Sequence, residues 1–298
     1  MKGLDVRVNN LVKAYGLGKI EVQALRGLNM DVAAGEFIAI IGPSGSGKTT
    51  LLNILGGLDV ATAGTVQVGS VHVTGMTPTQ LVDYRRETVG HIFQTLNLIP
   101  TLTAVENIEL PMIARGVPRG KRKERVQSLL EIVGLTDRSN HKPEELSGGE
   151  QQRIAMATAL ANDAPVILAD EPTGELDTVN AKIVVDYLLK VNRELGKTII
   201  MVTHDPSVAR RTDRILRIED GVIKIALAPT EMIGEEKALS YVDQLRARIE
   251  EIDAEMLQLD KDFKSGKISG DEYVEKRQSL KRTRDSLEEE LHRMGVVT

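Results

Sequence analysis

IIGPSGSGKTTLL, Ile40 to Leu52, places three glycines, two serines, a lysine and two threonines between an apolar run and a helix-forming segment. Upstream, EFIAII (Glu36 to Ile41) is short, β-branched and apolar, which predicts a strand buried on both faces. Downstream, Leu51, Leu52, Ile54, Leu55 and Leu58 recur at helical spacing. Gly42, Pro43, Ser44, Gly45, Ser46, Gly47, Lys48 and Thr49 therefore read as a strand-to-helix turn of pattern GxxxxGKT, with Thr50 beside it as a further nucleotide-binding candidate. Glycines in that context let the backbone wrap a phosphate chain, so that successive N–H groups and the helix N-terminus point at the anion. Lys48 is placed to reach β and γ phosphates, and Thr49 to offer its hydroxyl to Mg²⁺. A bare flexible turn would need neither the flanking strand nor the helix, so the three together point to ATP-type chemistry.

A phosphate turn needs a metal partner and a base. VILADEP supplies both, because Val166 to Ala169 reads as another buried strand with Asp170 and Glu171 at its C-terminal end, where ligands of parallel sheets collect. Asp170 is expected to hold Mg²⁺ and Glu171 to take the proton of an attacking water.

A second turn, LSGGEQQR (Leu146 to Arg153), again leads glycines and a serine into a helix. Its plain reading is a helix cap, with Ser147 or Glu150 satisfying orphan N–H groups. The octet also resembles the signature of ABC ATPases, and further elements of that family follow in order. The resemblance implies a P-loop NTPase of ABC type, α/β, with an N-terminal antiparallel β portion and a helical insert over about 95–161. It implies a homodimer in the ATP-bound state, in which Ser147, Gly148, Gly149 and Glu150 of one subunit meet the γ-phosphate held by the other. It further assigns Tyr15 to stacking on adenine and Gln94 to Mg²⁺ and the attacking water. Asp177, in GELD, would communicate across the dimer, and His204, in MVTHDP, would contact the γ-phosphate. The expected catalytic set is then Glu171, His204, Gln94 and Lys48, with Thr49, Gln94 and Asp170 toward the metal.

Connecting sequence such as NLIPTLTAVENIELPMIARGV (Asn97 to Val117) is similar to the ATPases of lipoprotein release and macrolide export, with FtsE as a cousin. That resemblance implies an integral membrane permease of FtsX or MacB type as partner. Two residues depart from it: Glu175 stands where asparagine or alanine is usual, and Thr158 where arginine is usual. An FtsE-like transmitter that moves no cargo is the alternative. A soluble ATPase of translation or DNA repair fits less well, since one phosphate turn is present and the stretch from it to the signature is compact.

Past about residue 238 the chain is dense in charge and helix formers. Val242, Leu245, Ile249, Ile252, Met256, Leu259 and Phe263 alternate three and four apart, which predicts a coiled-coil stripe. Gly266 and Gly270 interrupt it, Ser269 and Glu272 form a capping box, and Tyr273, Leu280, Leu287 and Met294 fall seven apart with Leu291 beside them. Arg277 and Arg284 occupy positions a full heptad would make apolar. The expectation is an ATPase domain over 1–227, a linker over 228–237 and a helical hairpin over 238–298, acting as a stabilising arm or a regulator.

Composition limits the alternatives. The 298 residues hold no cysteine, which excludes disulfides and thiolate metal sites. Net charge is -5, which argues against a nucleic-acid footprint. His72, His91, His141 and His292 share no metal-ligand spacing. The start lacks a signal-peptide core and no apolar run approaches the roughly 20 residues of a membrane span. The expected location is cytoplasmic, peripheral on the inner face of the membrane through the partner.

Overall fold

The computed structural model describes residues 1–17, 20–174, 176–227, 248–249, 252–263 and 270–293. Three strands open the chain: β1 (Val6–Leu17), β2 (Ile20–Val32) and β3 (Phe37–Ile41). Then come α1 (Lys48–Leu55), β4 (Ala63–Val68), β5 (Val71–His72), α2 (Pro78–Glu87) and β6 (Val89–Ile92). The first, second, fourth and fifth strands form an antiparallel sheet of order β2-β1-β4-β5. This is the N-terminal antiparallel portion expected from the sequence.

Helices α3 (Ala104–Ala114), α4 (Arg119–Ile132) and α5 (Gly148–Ala159) make up the helical insert. The core resumes with β7 (Val166–Asp170), α6 (Thr178–Leu195), β8 (Thr198–Val202), α7 (Pro206–Ala209), β9 (Arg214–Glu219) and β10 (Val222–Leu227). These strands join β3 and β6 in a second sheet of order β10-β9-β3-β8-β7-β6. Only the β9–β10 pair is antiparallel; β3, β8, β7 and β6 pair in parallel, Phe37 opposite Ile199 and Val166 opposite Thr198.

The reason is visible in the side chains. β7 and β8 are buried at every position, as strands covered on both faces must be. Leu51, Leu52, Ile54 and Leu55 of α1 enter the same core as Val8 and Leu28 of the small sheet and Ile40, Leu168 and Ile200 of the large one. Leu58 departs from its expected place: α1 ends at Leu55, Gly57 takes a positive φ, and Leu58 is 46% exposed.

The chain divides into two compact units, Met1–Thr230 and Glu231–Thr298. In the second, residues 252–263 and α8 (Gly270–Arg293) are helical and pair in opposite senses. Phe263 stacks on Tyr273 at 4.3 Å, Arg277 reaches Asp260 at 3.3 Å, and Arg284 reaches Asp253 at 2.7 Å. The two arginines that interrupt the heptad thus meet aspartates spaced by the same seven residues on the other helix. Among the described residues the expected coiled coil is not shown: Ile252 is buried, but Phe263 of the same stripe is 42% exposed. Val242, Leu245, Ser269 and Met294, the side chains of Glu272 and Leu291, Glu175, and the 228–237 linker lie outside the described residues.

Candidate functional site

Strand order places the chemistry. The C-terminal ends of β3, β8, β7 and β6 lie side by side, the edge where a parallel sheet collects its ligands. The glycine turn follows β3, His204 follows β8, Asp170 ends β7 with Glu171 next, and Gln94 lies two residues past β6. Of the predicted residues, Gly42, Ser44, Gly45, Gly47, Lys48, Thr49, Thr50, Gln94, Glu171 and His204 line one cleft of about 530 Å³. Ala24 also lines it, and no sequence signal marks that alanine.

The turn is built open. Gly47 precedes α1 at φ 102, and no side chain caps the helix there. An added Cβ on Gly47 would stand 2.5 Å from the Ala24 carbonyl oxygen, so glycine is needed for both backbone and space. The first turn of α1 carries no acidic residue, leaving its N–H groups and positive end to an anion. Lys48 is buried and its ammonium donates to the carbonyls of Gly42 and Pro43, each at 2.9 Å. Pro43 acts through that carbonyl. Ser46 Oγ is buried without a hydrogen-bond partner.

Thr49 Oγ1 lies 3.4 Å from Asp170 Oδ1. Burial raises the Asp170 pKa; the Thr49 hydroxyl opposes this, the Glu171 charge adds to it and Lys48 counters it. A buried carboxylate behind a hydroxyl that itself lines the phosphate cleft suits Mg²⁺, which usually takes one or two protein oxygens plus phosphates and water.

Glu171 adopts φ 45, a left-handed backbone that costs a non-glycine residue of order 1–3 kcal/mol. The fold holds it there through Glu171 N–H to Val202 O at 3.0 Å and Gly174 N–H to Glu171 O at 3.0 Å. The kink turns the carboxylate toward His204, whose Nδ1 lies 3.2 Å from Oε2. A carboxylate and an imidazole at the mouth of a phosphate cleft can order a water and accept its proton.

Tyr15, Asp170, Asp177 and Ser147 to Glu150 are not on the cleft wall. Tyr15 is 39% exposed and donates its hydroxyl to Asp59 at 2.7 Å, with the Lys13 ammonium 4.6 Å from its ring centroid. Lys13 also reaches Asp59 at 2.6 Å. Asp177 caps α6, accepting from Val179 and Asn180 N–H groups. Ser147 caps α5 in a full capping box with Glu150, so the plain reading of that turn holds within one chain. Gly149 is packed by Asn180, whose Oδ1 would lie 2.5 Å from an added Cβ.

A second hollow, of about 220 Å³, is lined among others by Leu58, Arg85, His91, Phe93, Pro111 and Thr158. Thr158, the residue that departs from the family pattern, therefore falls on this hollow and not on the cleft. Both ring nitrogens of His91 are buried without a partner, burial pushes its pKa down to about 4, and the ring stacks on Phe93 at 4.7 Å. Sequence spacing gave no hint of this, because the signal is burial and not periodicity.

Comparison with known proteins identifies the family. The family described as ABC transporter matches residues 25–174. The ABC transporter ATP-binding protein YvrO of Bacillus subtilis is 50% identical over 214 residues, 72% of this chain and 93% of YvrO. The macrolide export ATP-binding/permease protein MacB of Brucella abortus is 45% identical over 218 residues, 73% of this chain and 34% of MacB. A solved structure of the ATP-binding cassette MJ0796, described as a dimeric post-hydrolysis state bound to ADP and Pi, superposes with TM-score 0.70 at 42% identity. It covers 75% of this chain and 98% of that one; MJ0796 comes from Methanocaldococcus jannaschii. The chain belongs to the ABC transporter family as an ATP-binding, ATP-hydrolysing subunit, close to MJ0796, YvrO and the ATPase part of MacB.

Proposed function

We propose that this subunit works an integral membrane permease of MacB or FtsX type, driving export or extraction of hydrophobic or lipid-linked cargo from the cytoplasmic face of the membrane. Among the described residues no helix is long and apolar enough to cross a membrane, so in this reading the permease holds the subunit there. The observation that carries the proposal is the adjacency of Phe93 and Gln94. Phe93 lines the apolar hollow and Gln94, the next residue, lines the phosphate cleft. A permease element seated in the hollow would therefore feel each change at the cleft through one peptide unit, and the MacB likeness supplies the kind of permease.

In the cycle proposed, the triphosphate of ATP enters the cleft, where Lys48 and the turn's N–H groups take up its charge. Thr49, Asp170 and Gln94 would hold Mg²⁺, which when bound supplies charge neutralisation at the phosphates. Two chains close head to tail, so that Ser147, Gly148 and Gly149 of each complete the other's site, with Tyr15 against adenine and Asp177 near the seam. Glu171 then takes the proton of the attacking water while Lys48 and His204 stabilise the charge on the transferring group.

The test is Glu171→Gln, isolated from its native membranes in MgATP. Removing a positioned base costs about 10²–10⁴-fold in rate, so turnover is expected to fall by that factor while ATP locks a dimer. A membrane subunit is expected to come with it. Normal turnover would remove Glu171 from the chemistry, and ribosomes or DNA in place of a membrane protein would overturn the transport reading.

A further inference from the structure

The signature turn contains a contradiction. In the proposed dimer the γ-phosphate of the partner's ATP comes to Ser147, at the N-terminus of α5, yet the first turn of that helix already carries a carboxylate, Glu150. Its Oε2 accepts both the Ser147 N–H, at 2.8 Å, and the Ser147 hydroxyl, at 2.7 Å. A helix N-terminus attracts an anion, but a fixed negative charge on the same serine repels a second one. Glutamine could make the same cap without that repulsion.

Arg138 supplies a compensating charge. Arg138 Nε donates to the other oxygen, Glu150 Oε1, at 3.1 Å. The Arg138 side chain is 41% exposed, but its segment is tied to α3 through Ala104 N–H to His141 O at 2.8 Å and Val105 N–H to Ser139 O at 3.0 Å. It also touches Asp137 at 3.3 Å, but that carboxylate is far more exposed, 74% against 20% for Glu150. The Ser147 hydrogen bonds and Arg138 together hold the Glu150 carboxyl down at about 2.

We infer that Arg138 is a positioning residue for the signature turn: it neutralises and aims Glu150, so that Ser147 can receive the phosphate bound by a second copy of this chain. The inference rests on the head-to-tail dimer proposed above. It makes Arg138 necessary only because residue 150 is glutamate.

That dependence is the test. In the Glu171→Gln background, ATP-driven dimer formation is followed by light scattering for Arg138 and Arg138→Ala, each with Glu150 and with Glu150→Gln. Arg138→Ala is expected to raise the half-saturating ATP concentration roughly three- to tenfold with Glu150, because an exposed pair is weak but the dimer contains it twice. With Glu150→Gln the same change is expected to move it less than twofold, and Arg138→Lys to restore most of the loss. Helical circular dichroism and melting show that each variant is folded. An equal effect in both backgrounds would make Arg138 merely structural, and no effect in either would remove it from the dimer's assembly. Failure of the Glu171→Gln parent itself to dimerise in ATP would instead take down the dimer and this inference with it.

Discussion

Residues 42–50 and residues 147–150 are both turns of glycine and serine that open a helix, and they end in opposite states. Before α1, no side chain caps the helix and no acid stands in its first turn. Before α5, Ser147 and Glu150 satisfy each other's backbone and the acid sits at the third position. The first turn has no side-chain cap and lines a cleft; the second is capped by its own side chains and does not line that cleft. In the proposed cycle, similar composition serves two kinds of anion site, one that waits for a phosphate within the chain and one that is stable alone and is presented to another molecule.

The sharpest way to break this contrast is Lys48→Ala. The ammonium is buried on the wall of the cleft, and in the proposed cycle it takes up phosphate charge, a charge-assisted contact worth about 1.5–3 kcal/mol. ATP affinity of the isolated chain, measured by calorimetry, is expected to fall by one to two orders of magnitude. Ser147→Ala is expected to act on ATP-driven dimerisation and not on that affinity. If the two variants weakened one-chain binding alike, the division into waiting and presented turns would be wrong.

Whatever depends on a run of neighbours was legible: the strand, turn and helix around Gly42 to Thr50, the Asp170 and Glu171 pair after β7, and the helical insert. What depends on a partner far along the chain was not. His91 looks unremarkable in sequence because only burial, supplied by distant elements, makes it unusual. Leu58 fits the helical spacing, but the Gly56 and Gly57 pair ends the helix first and leaves it exposed. Arg277 and Arg284 look like faults in a single heptad, yet each finds an aspartate on the other helix. Arg138 is one arginine among many until Glu150 is placed beside it.

The glycines sharpen the comparison by a smaller step. Gly47→Ala puts a Cβ 2.5 Å from Ala24 O at a φ of 102, so a loss of about 2 kcal/mol or more is expected in urea unfolding. At Gly148 an added Cβ meets only Leu176 Cδ2 at 3.9 Å, and the residue is already helical. Gly148→Ala is therefore expected to leave stability unchanged or raise it by up to about 1 kcal/mol. A glycine that its own fold does not need is explained by close approach from outside, and a damaging Gly148→Ala in the isolated chain would remove that explanation.

The smallest effect lies in the acid that closes the second turn. With the Glu150 carboxyl at about 2 when folded, against 4.5 ordinarily, the cap is fully effective above pH 4.5. As pH falls from there toward 2 the folded state must take up a proton the unfolded state already holds, so the contribution is lost. Partial exposure screens it, and about 1 kcal/mol is a fair size. Glu150→Gln keeps an acceptor but not the charge, so it is expected to be less stable than the parent by about that amount at pH 7. The gap should narrow steadily below pH 4.5. Urea unfolding of both proteins between pH 7 and pH 3 measures it directly. A gap independent of pH would mean that the carboxylate's charge adds nothing to the cap, leaving glutamate at this position with an electrostatic cost toward phosphate and no matching gain in the fold.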